Sequence, residues 1–573
     1  LARVIKAQQA PAWPPPPNTN LPDKILADQL VECYVRTSEA IYRILHIPSF
    51  KRDYDALWEE QDGPATPRDK AFLVQVKLVL AIGAAIYDEQ FSLRTSAIRW
   101  VYEAHSWISE PEFKPRLSLQ GIQTSLLLLL AREATNVGET LIWVSVGTLL
   151  RSAVYMGLHR DPSRLPKKTP LAAEMRRRLW NTTLEMALHA SLSAGTPPFL
   201  SLGDFDTEPP GNFDDDQLLA EDEDPTPRPD DEYTQTSVAR ALRKTFPFRL
   251  AVTKFLNDLG SRGTYEETLR LDAELRASYK ILSRTLQACR RRNESGSASN
   301  LGASSGAPSQ FALRAVDFIM SRYLAAVHVP FFRPALHETA FAFSRKVVLE
   351  TSLKMWCAAY PTSSLSLSGT NHAAASTASS TRSTTAAASA TDHDDLARMI
   401  KCGSGFFRIA TYQAALLIAT ELRAQLQDED YSLSPSPLRP GLHAVLEEAK
   451  LWAVRCIEAG ETNVKGHLFL VLIAAQIEAL MVRRGGPGLA SNKDDGDDAD
   501  SRFTADMLLK AAREAVEQCL PILEDKARQL QQQPSSMSSS ASSSGAGHRQ
   551  SVDQLDQMMM ALPEDEDWDF MVS

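Results

Sequence analysis

Cysteine is scarce in this chain and never clustered. The six cysteines stand at positions 33, 289, 357, 402, 456 and 519, dozens of residues apart. With no Cys-x-x-Cys pair, local sequence offers no zinc finger, ribbon or binuclear cluster. So few cysteines in a long chain also argue against a disulfide framework; they fit small core hydrophobes in a reducing compartment. Positive charge is short as well: 61 Lys and Arg against 71 Asp and Glu leave a net charge of −10. A surface of that balance is unsuited to neutralising many phosphates. The most apolar run, 126–131, is bounded by Gln123 and Arg132. It falls far short of the roughly 20 residues that span a bilayer, so no membrane partner is expected.

Signatures of chemistry are missing too. There is no G-x-G-x-x-G, Walker A, G-x-S-x-G or H-E-x-x-H, and the eleven histidines are scattered without ligand spacing. No catalytic, cofactor-binding or metal-ligating residue is expected in this chain. His46 has no second ligand three or four residues on, which favours packing or capping over metal binding. His159-Arg160-Asp161 spells the start of a kinase catalytic loop, but Pro166 stands where asparagine is needed. Asp494, Asp495 and Asp498 spell a metal–diphosphate pattern, yet in a glycine- and aspartate-rich loop. No repeat of constant period emerges, which disfavours a solenoid.

What remains is ordinary and large. With 573 residues, 44% hydrophobic and 23% charged, the chain can bury a sizeable core. A proline-rich lead-in, 1–22, reads as an extended linker. Ile25, Leu26, Leu30, Val31, Tyr34, Ile41 and Ile44 then recur at helical spacing, and Pro48 is expected to push Ile47 out of the helix. Two helices fit within 67–107. The stretch 118–136 is apolar around most of its circumference and should be central. A helix over 139–156 closes at Gly157. Thr169 and Pro170 open another helix, with Met175, Leu179 and Met186 facing inward beside Leu184 and Leu188.

Within that helix Glu174 can pair with Arg178 or Arg177. Arg176, Arg177 and Arg178 spread over roughly 200° of helix, so they cannot share one face. Three readings stay open: a brace to the acidic segment holding Asp204, Asp206, Glu208 and Asp214 to Asp216, a solvated charge run, or an anion or effector site. The expected organisation is a first helical half at 23–217, an acidic linker at 218–235 and a second half at 236–531. Insertions near 294–309, 362–393 and 485–502 read as disordered, and the last helix spans 504–531. A spacer and acidic tail close the chain at 532–573. There Leu562, Trp568, Phe570 and Met571 lie among acidic residues that keep them solvated, either for docking on a coactivator groove or as a plain acidic end.

VYMGLHRDP at 154–162, EMRRRLW at 174–180 and SAGTPPFLSLGDFDTEPPGNFDDD at 193–216 resemble the central region of fungal zinc-cluster transcription factors. That region is the middle homology, xylanolytic-activator-type or fungal-specific transcription factor domain. RILHIPSF at 43–50 is similar to its opening; segments at 311–334, 343–356 and 403–426 are similar to its second half. The motif falls on Gly157, His159, Arg160, Asp161, Glu174, Arg176, Arg177, Arg178, Trp180, Gly195, Pro197, Asp204, Asp206, Pro209 and Asp215, with an expected structural role. Many members carry Gly-Arg-Pro where this chain has Gly195-Thr196-Pro197, so no role of that arginine is carried over.

The resemblance implies an all-α regulatory domain from a nuclear factor controlling RNA polymerase II transcription. It further implies a zinc cluster upstream of Leu1 that holds the zinc and contacts DNA as a homodimer. The tail's composition and its serine-rich spacer motivate a separate expectation: the body restrains the tail or the zinc module until an effector, with a small molecule as one candidate partner, shifts the balance. Two rivals share the same residues: a non-catalytic helical scaffold without DNA binding, and a helical enzyme with an unrecognised pocket.

Overall fold

Aspartate, serine and threonine side chains cap the starts of many helices and so set where elements begin. The computed structural model describes residues 1–11, 20–59, 69–110, 116–138, 141–219, 225–260, 263–295, 306–361, 394–428, 439–485 and 496–532. Among them every regular element is helical, and the fold is all-α. The first half holds α1 (Ala2–Gln9), α2 (Lys24–Arg36), α3 (Ser38–Tyr42), α4 (Ile47–Glu59) and α5 (Lys70–Tyr87). It continues with α6 (Arg94–Ser109), α7 (Leu119–Thr135), α8 (Ile142–Tyr155) and α9 (Pro170–Ala194). The second half holds α10 (Ser237–Leu256), α11 (Tyr265–Ser295), α12 (Gln310–His328), α13 (Ala342–Ala359) and α14 (Asp395–Cys402). It ends with α15 (Phe406–Asp428), α16 (Arg439–Glu458), α17 (Lys465–Gly485) and α18 (Gly496–Gln532).

Apolar content decides which helices sit in the middle. α5 buries every residue from Leu73 to Ile86 and packs on α2, α6 and α7. α7 buries its leucine run and is bounded by Ser118, whose side chain accepts from Gly121 N–H, and by left-handed Asn136. In the second half α12 packs on α13, which leads through α15 to α16 and α17. One apolar core runs from Ala27 to Ile477, so the stretches on either side of 218–235 share it.

Four expectations are corrected. Residues 2–9 of the lead-in are helical, because Ile5 finds a cleft with Ile457, Cys519 and Leu523. Ile47 is the first residue of α4, and Pro48 lies in that helix's first turn, where a missing N–H costs nothing. The preceding stop falls instead at Thr37 and at Arg43, with φ of +50°. Helix α18 begins at Gly496, eight residues before the expected start, so Asp498 lies in a helix while Asp494 and Asp495 lie outside the described residues. Finally, α5 and α17 are long and apolar enough to cross a membrane, with mean hydropathy of 1.7 and 1.6 over 18 residues. The α5 window is 78% buried inside the protein, as a core helix is, and that of α17 39%. The proline-rich 12–19, the tract 362–393, and the tail with Leu562, Trp568, Phe570 and Met571 lie outside the described residues.

Candidate functional site

Helix α9 positions most of the motif. Its start is fixed by Thr169, whose hydroxyl accepts from Ala172 N–H, with Pro170 at the first turn; its end is Gly195 at φ +59°. An amphipathic stripe was expected, but α9 is buried on nearly every side from Glu174 to Leu192. Its polar residues must therefore find partners inside the protein.

The three arginines diverge as helical geometry requires. Arg178 is fully buried; its Nε donates to Glu174 Oε1 at 3.0 Å and its Nη1 to Asp215 Oδ1 at 2.6 Å. Arg177 turns to Asp161, donating to both carboxylate oxygens at 2.9 and 2.8 Å. Arg176 donates to the Met156 carbonyl at 2.9 Å. Of these three arginines, Arg178 is the one that pairs with a carboxylate of the acidic segment.

Asp215 receives a second cation. Arg43, exposed to solvent by 4%, donates from Nη2 to the same Oδ1 at 2.6 Å, and Ile47 N–H donates to Oδ2 at 3.0 Å. His46 Nε2 lies 2.9 Å from the Asp215 carbonyl, and its Nδ1 lies 2.7 Å from Ser49 Oγ. Glu39, with no exposure, accepts from Ile44 N–H at 3.1 Å, Leu45 N–H at 3.0 Å and the Tyr34 hydroxyl at 2.6 Å. Glu174 Oε2 accepts from Gly211 N–H at 3.0 Å. Two arginines thus face three carboxylates. Burial works to raise the Asp215 pKa, but Arg43 and then Arg178 outweigh it and hold the carboxyl well below the usual range. Burial wins at Glu39 and Glu174, whose pKa values are pushed up.

A second clasp joins the basic loop to the acidic segment. Gly157 takes φ +73°, and the turn it makes lets Thr207 donate to the Leu158 carbonyl at 2.6 Å. Asp161 N–H donates to Asp206 Oδ1 at 2.7 Å, Asp206 N–H to the His159 carbonyl at 3.0 Å, and Glu208 N–H to Asp161 Oδ2 at 3.0 Å. Burial opposes ionisation of Asp161, yet Arg177 and Ser163 hold its pKa well below the usual range. Trp180 is 1% exposed, between Phe205 at 5.6 Å and His159 at 6.3 Å between ring centroids. Arg160 is exposed. Asp204 accepts from Ser201 N–H at 2.6 Å, and Pro209 is half-buried beside Pro210. Pro197 stands apart, lining a broad surface groove of about 970 Å³ with Phe199 and Asp204.

Sequence reasoning missed the partners on other elements. Arg43 lies in the quoted opening of the domain and Glu39 four residues before it, yet no spacing rule links them to Asp215. It also missed Arg249, fully buried, which donates to both oxygens of Glu185 at 2.6 and 2.7 Å. His189 stacks on Phe406 with centroids 4.1 Å apart. Among the described residues, no group of three or more His, Cys, Asp or Glu is placed to hold a metal ion. The motif residues form two ion-pair clasps whose carboxylates are already engaged.

Comparison with known proteins follows this geometry. Residues 31–296 match the model of the fungal specific transcription factor domain. The chain is 31% identical to transcription factor lepE of Aspergillus flavus over 531 residues, covering 90% of this chain and 57% of the relative. It is 30% identical to transcription factor asR3 of Sarocladium schorii, covering 85% and 58%. It is 33% identical to transcription factor opdR of Penicillium oxalicum, covering 84% and 59%. The chain therefore spans less than two thirds of the length of these relatives. No solved structure matches it significantly. Both clasps lie inside the stretch that matches the fungal specific transcription factor domain, and most of the chain is similar to proteins named as fungal transcription factors.

Proposed function

We propose that this chain is the regulatory region of a fungal nuclear transcription factor acting on RNA polymerase II genes, and that it is not an enzyme. One observation carries the reading: similarity to named transcription factors extends over 84–90% of the chain, well beyond the motif at 154–216. DNA contact belongs to a zinc-cluster module outside this sequence. The dispersed cysteines do not fit such a cluster: all six are free, and among the described residues no three His, Cys, Asp or Glu are placed to hold a metal ion. The motif residues serve as architecture, since Arg177 and Arg178 are committed to Asp161 and Asp215 and are not free to meet phosphates. Coactivators dock on the tail through Leu562, Trp568, Phe570 and Met571, and the whole factor works as a homodimer.

Fusing residues 553–573, and separately the whole chain, to a heterologous DNA-binding domain tests this. The tail fusion is expected to activate a reporter, and Trp568→Ala with Phe570→Ala to silence it. A tail fusion that leaves the reporter at background overturns the activation role. A tagged native protein that stays out of the nucleus overturns the larger reading.

A further inference from the structure

Between α1, the end of α7, α15, α16 and the start of α17 lies a cleft of about 350 Å³, separate from both clasps. That volume is at the lower end of small-molecule sites. Its walls are apolar and aromatic: Ile409, Tyr412, Trp452 and Ile457. Trp452 is 4% exposed, and its indole Nε1–H has no hydrogen-bond partner. His467, also 4% exposed and lining the cleft, has neither ring nitrogen in hydrogen-bond geometry with any group. The Lys450 backbone and the Gln518 side chain lie near that ring without reaching such geometry. Buried donors without acceptors are costly and uncommon in native proteins, so an unmet acceptor is called for here.

Charge around the cleft is one-sided. Lys6 from α1, Arg408 from α15 and Lys465 from α17 line it, against the single carboxylate Glu461. Glu461 is already spent: it pairs with Arg408 at 3.2 Å, accepts from Thr462 and Asn463 N–H at 2.8 Å each, and receives Asn136 Nδ2 at 3.3 Å. Buried Arg94 lies within electrostatic range of the same carboxylate and of Arg408. Three cations thus line the cleft against one carboxylate, with Arg94 behind it. Lys6 and Lys465 are exposed at the mouth, where a mobile ammonium can meet an entering charge.

We propose that this cleft binds a small organic anion: a carboxylate on a flat apolar body of about two fused rings, a size suited to such a volume. The carboxylate sits toward Lys465 and Lys6, and the body lies among Trp452, Tyr412 and Ile409 with an acceptor atom offered to the Trp452 indole. Bound there, the ligand bridges α1 to α15, α16 and α17. The binding claim is independent of the transcriptional reading, since it is measured on the chain without DNA or reporter.

The test uses the full chain with ¹⁵N-labelled tryptophan, the Trp452 indole resonance being assigned by its absence in Trp452→Phe. The probes are 2-naphthoate, its neutral isostere 2-naphthamide, and inorganic phosphate. Naphthoate is expected to move the Trp452 resonance saturably, with naphthamide roughly tenfold weaker, as loss of a charge-assisted contact implies, and phosphate without effect. Lys465→Glu, on an exposed first turn where a carboxylate is tolerated, should weaken naphthoate several-fold with no change in melting temperature. Ile409→Phe, at a half-buried wall position, should abolish the shift by filling the cleft. A resonance unmoved by all three probes into the millimolar range overturns the site. Equal response to naphthoate and naphthamide overturns the anionic class, and response to phosphate alone overturns the apolar body.

Discussion

Asp215 shows how much one carboxylate can hold when two cations converge on it. Replacing it with alanine leaves Arg43 and Arg178, 4% and 0% exposed, facing each other without their shared partner. Breaking a buried pair this way costs about 3–5 kcal/mol, so Asp215→Ala should lower denaturant stability by that order. Arg164→Ala removes a partner of Asp206 from a side chain that is 66% exposed. Chemical unfolding should place that change within about 1 kcal/mol of the parent. His189 gives a pH signature. Burial first, with Arg249 adding and Glu185 opposing, lowers its pKa to about 4 from 6.5. Between those values the unfolded chain binds a proton that the folded chain refuses. Its contribution is therefore intact above pH 6.5 and is lost as pH falls toward 4, by roughly 3 kcal/mol across the window. Urea titrations at pH 7 and 4.5 should show His189→Gln losing less stability on acidification than the parent; parallel losses would reject the assignment.

At the scale of helices, two glycines with different reasons for being glycine should behave differently. Gly83 lies in α5, where an added Cβ would overlap the Leu30 carbonyl, so α2 and α5 approach as backbones. Gly83→Ala forces them apart and should cost roughly 3 kcal/mol, as overpacking does. Gly195 ends α9 at φ +59° with open space around it, so Gly195→Ala should cost only about 1 kcal/mol for the left-handed backbone. Thermal melts of both variants separate packing from conformation. Elements of this kind were largely legible beforehand. The Ser118–Asn136 helix, the Gly157 stop and the Thr169-Pro170 start all follow from local caps and periodicity, which neighbouring residues alone determine. Pro48 was misread because a proline suits a first turn as well as a stop, and only packing decides. The full burial of α9 was invisible for a similar reason: Glu185 and His189 look like an outward face until Arg249 and Phe406 arrive from elsewhere in the chain. Glu174 was legible as a partner of Arg178, and a brace to the acidic segment was one of three open readings; choosing Asp215 within that segment required Arg43, 172 residues from it.

Across the whole molecule, one core spans both halves, so unfolding of the described body should be a single cooperative event. A calorimetric scan with coincident loss of helicity and tryptophan burial is the expected outcome; two separated transitions would mean that the halves fold as independent units. A smaller apolar cluster lies outside that core, where Ile5 of α1 meets Leu523 and Ala527 of α18. Topologically this turns the described chain into a ring closed by a weak latch. Any segment joined before residue 1 and any segment following residue 532 leave the body side by side. Two such segments experience each other at an effective concentration in roughly the millimolar range, set by geometry and not by cellular abundance. A contact between them far too weak to detect as separate peptides would be populated in the intact protein, and releasing Ile5 from its cleft would dissolve it without touching either segment.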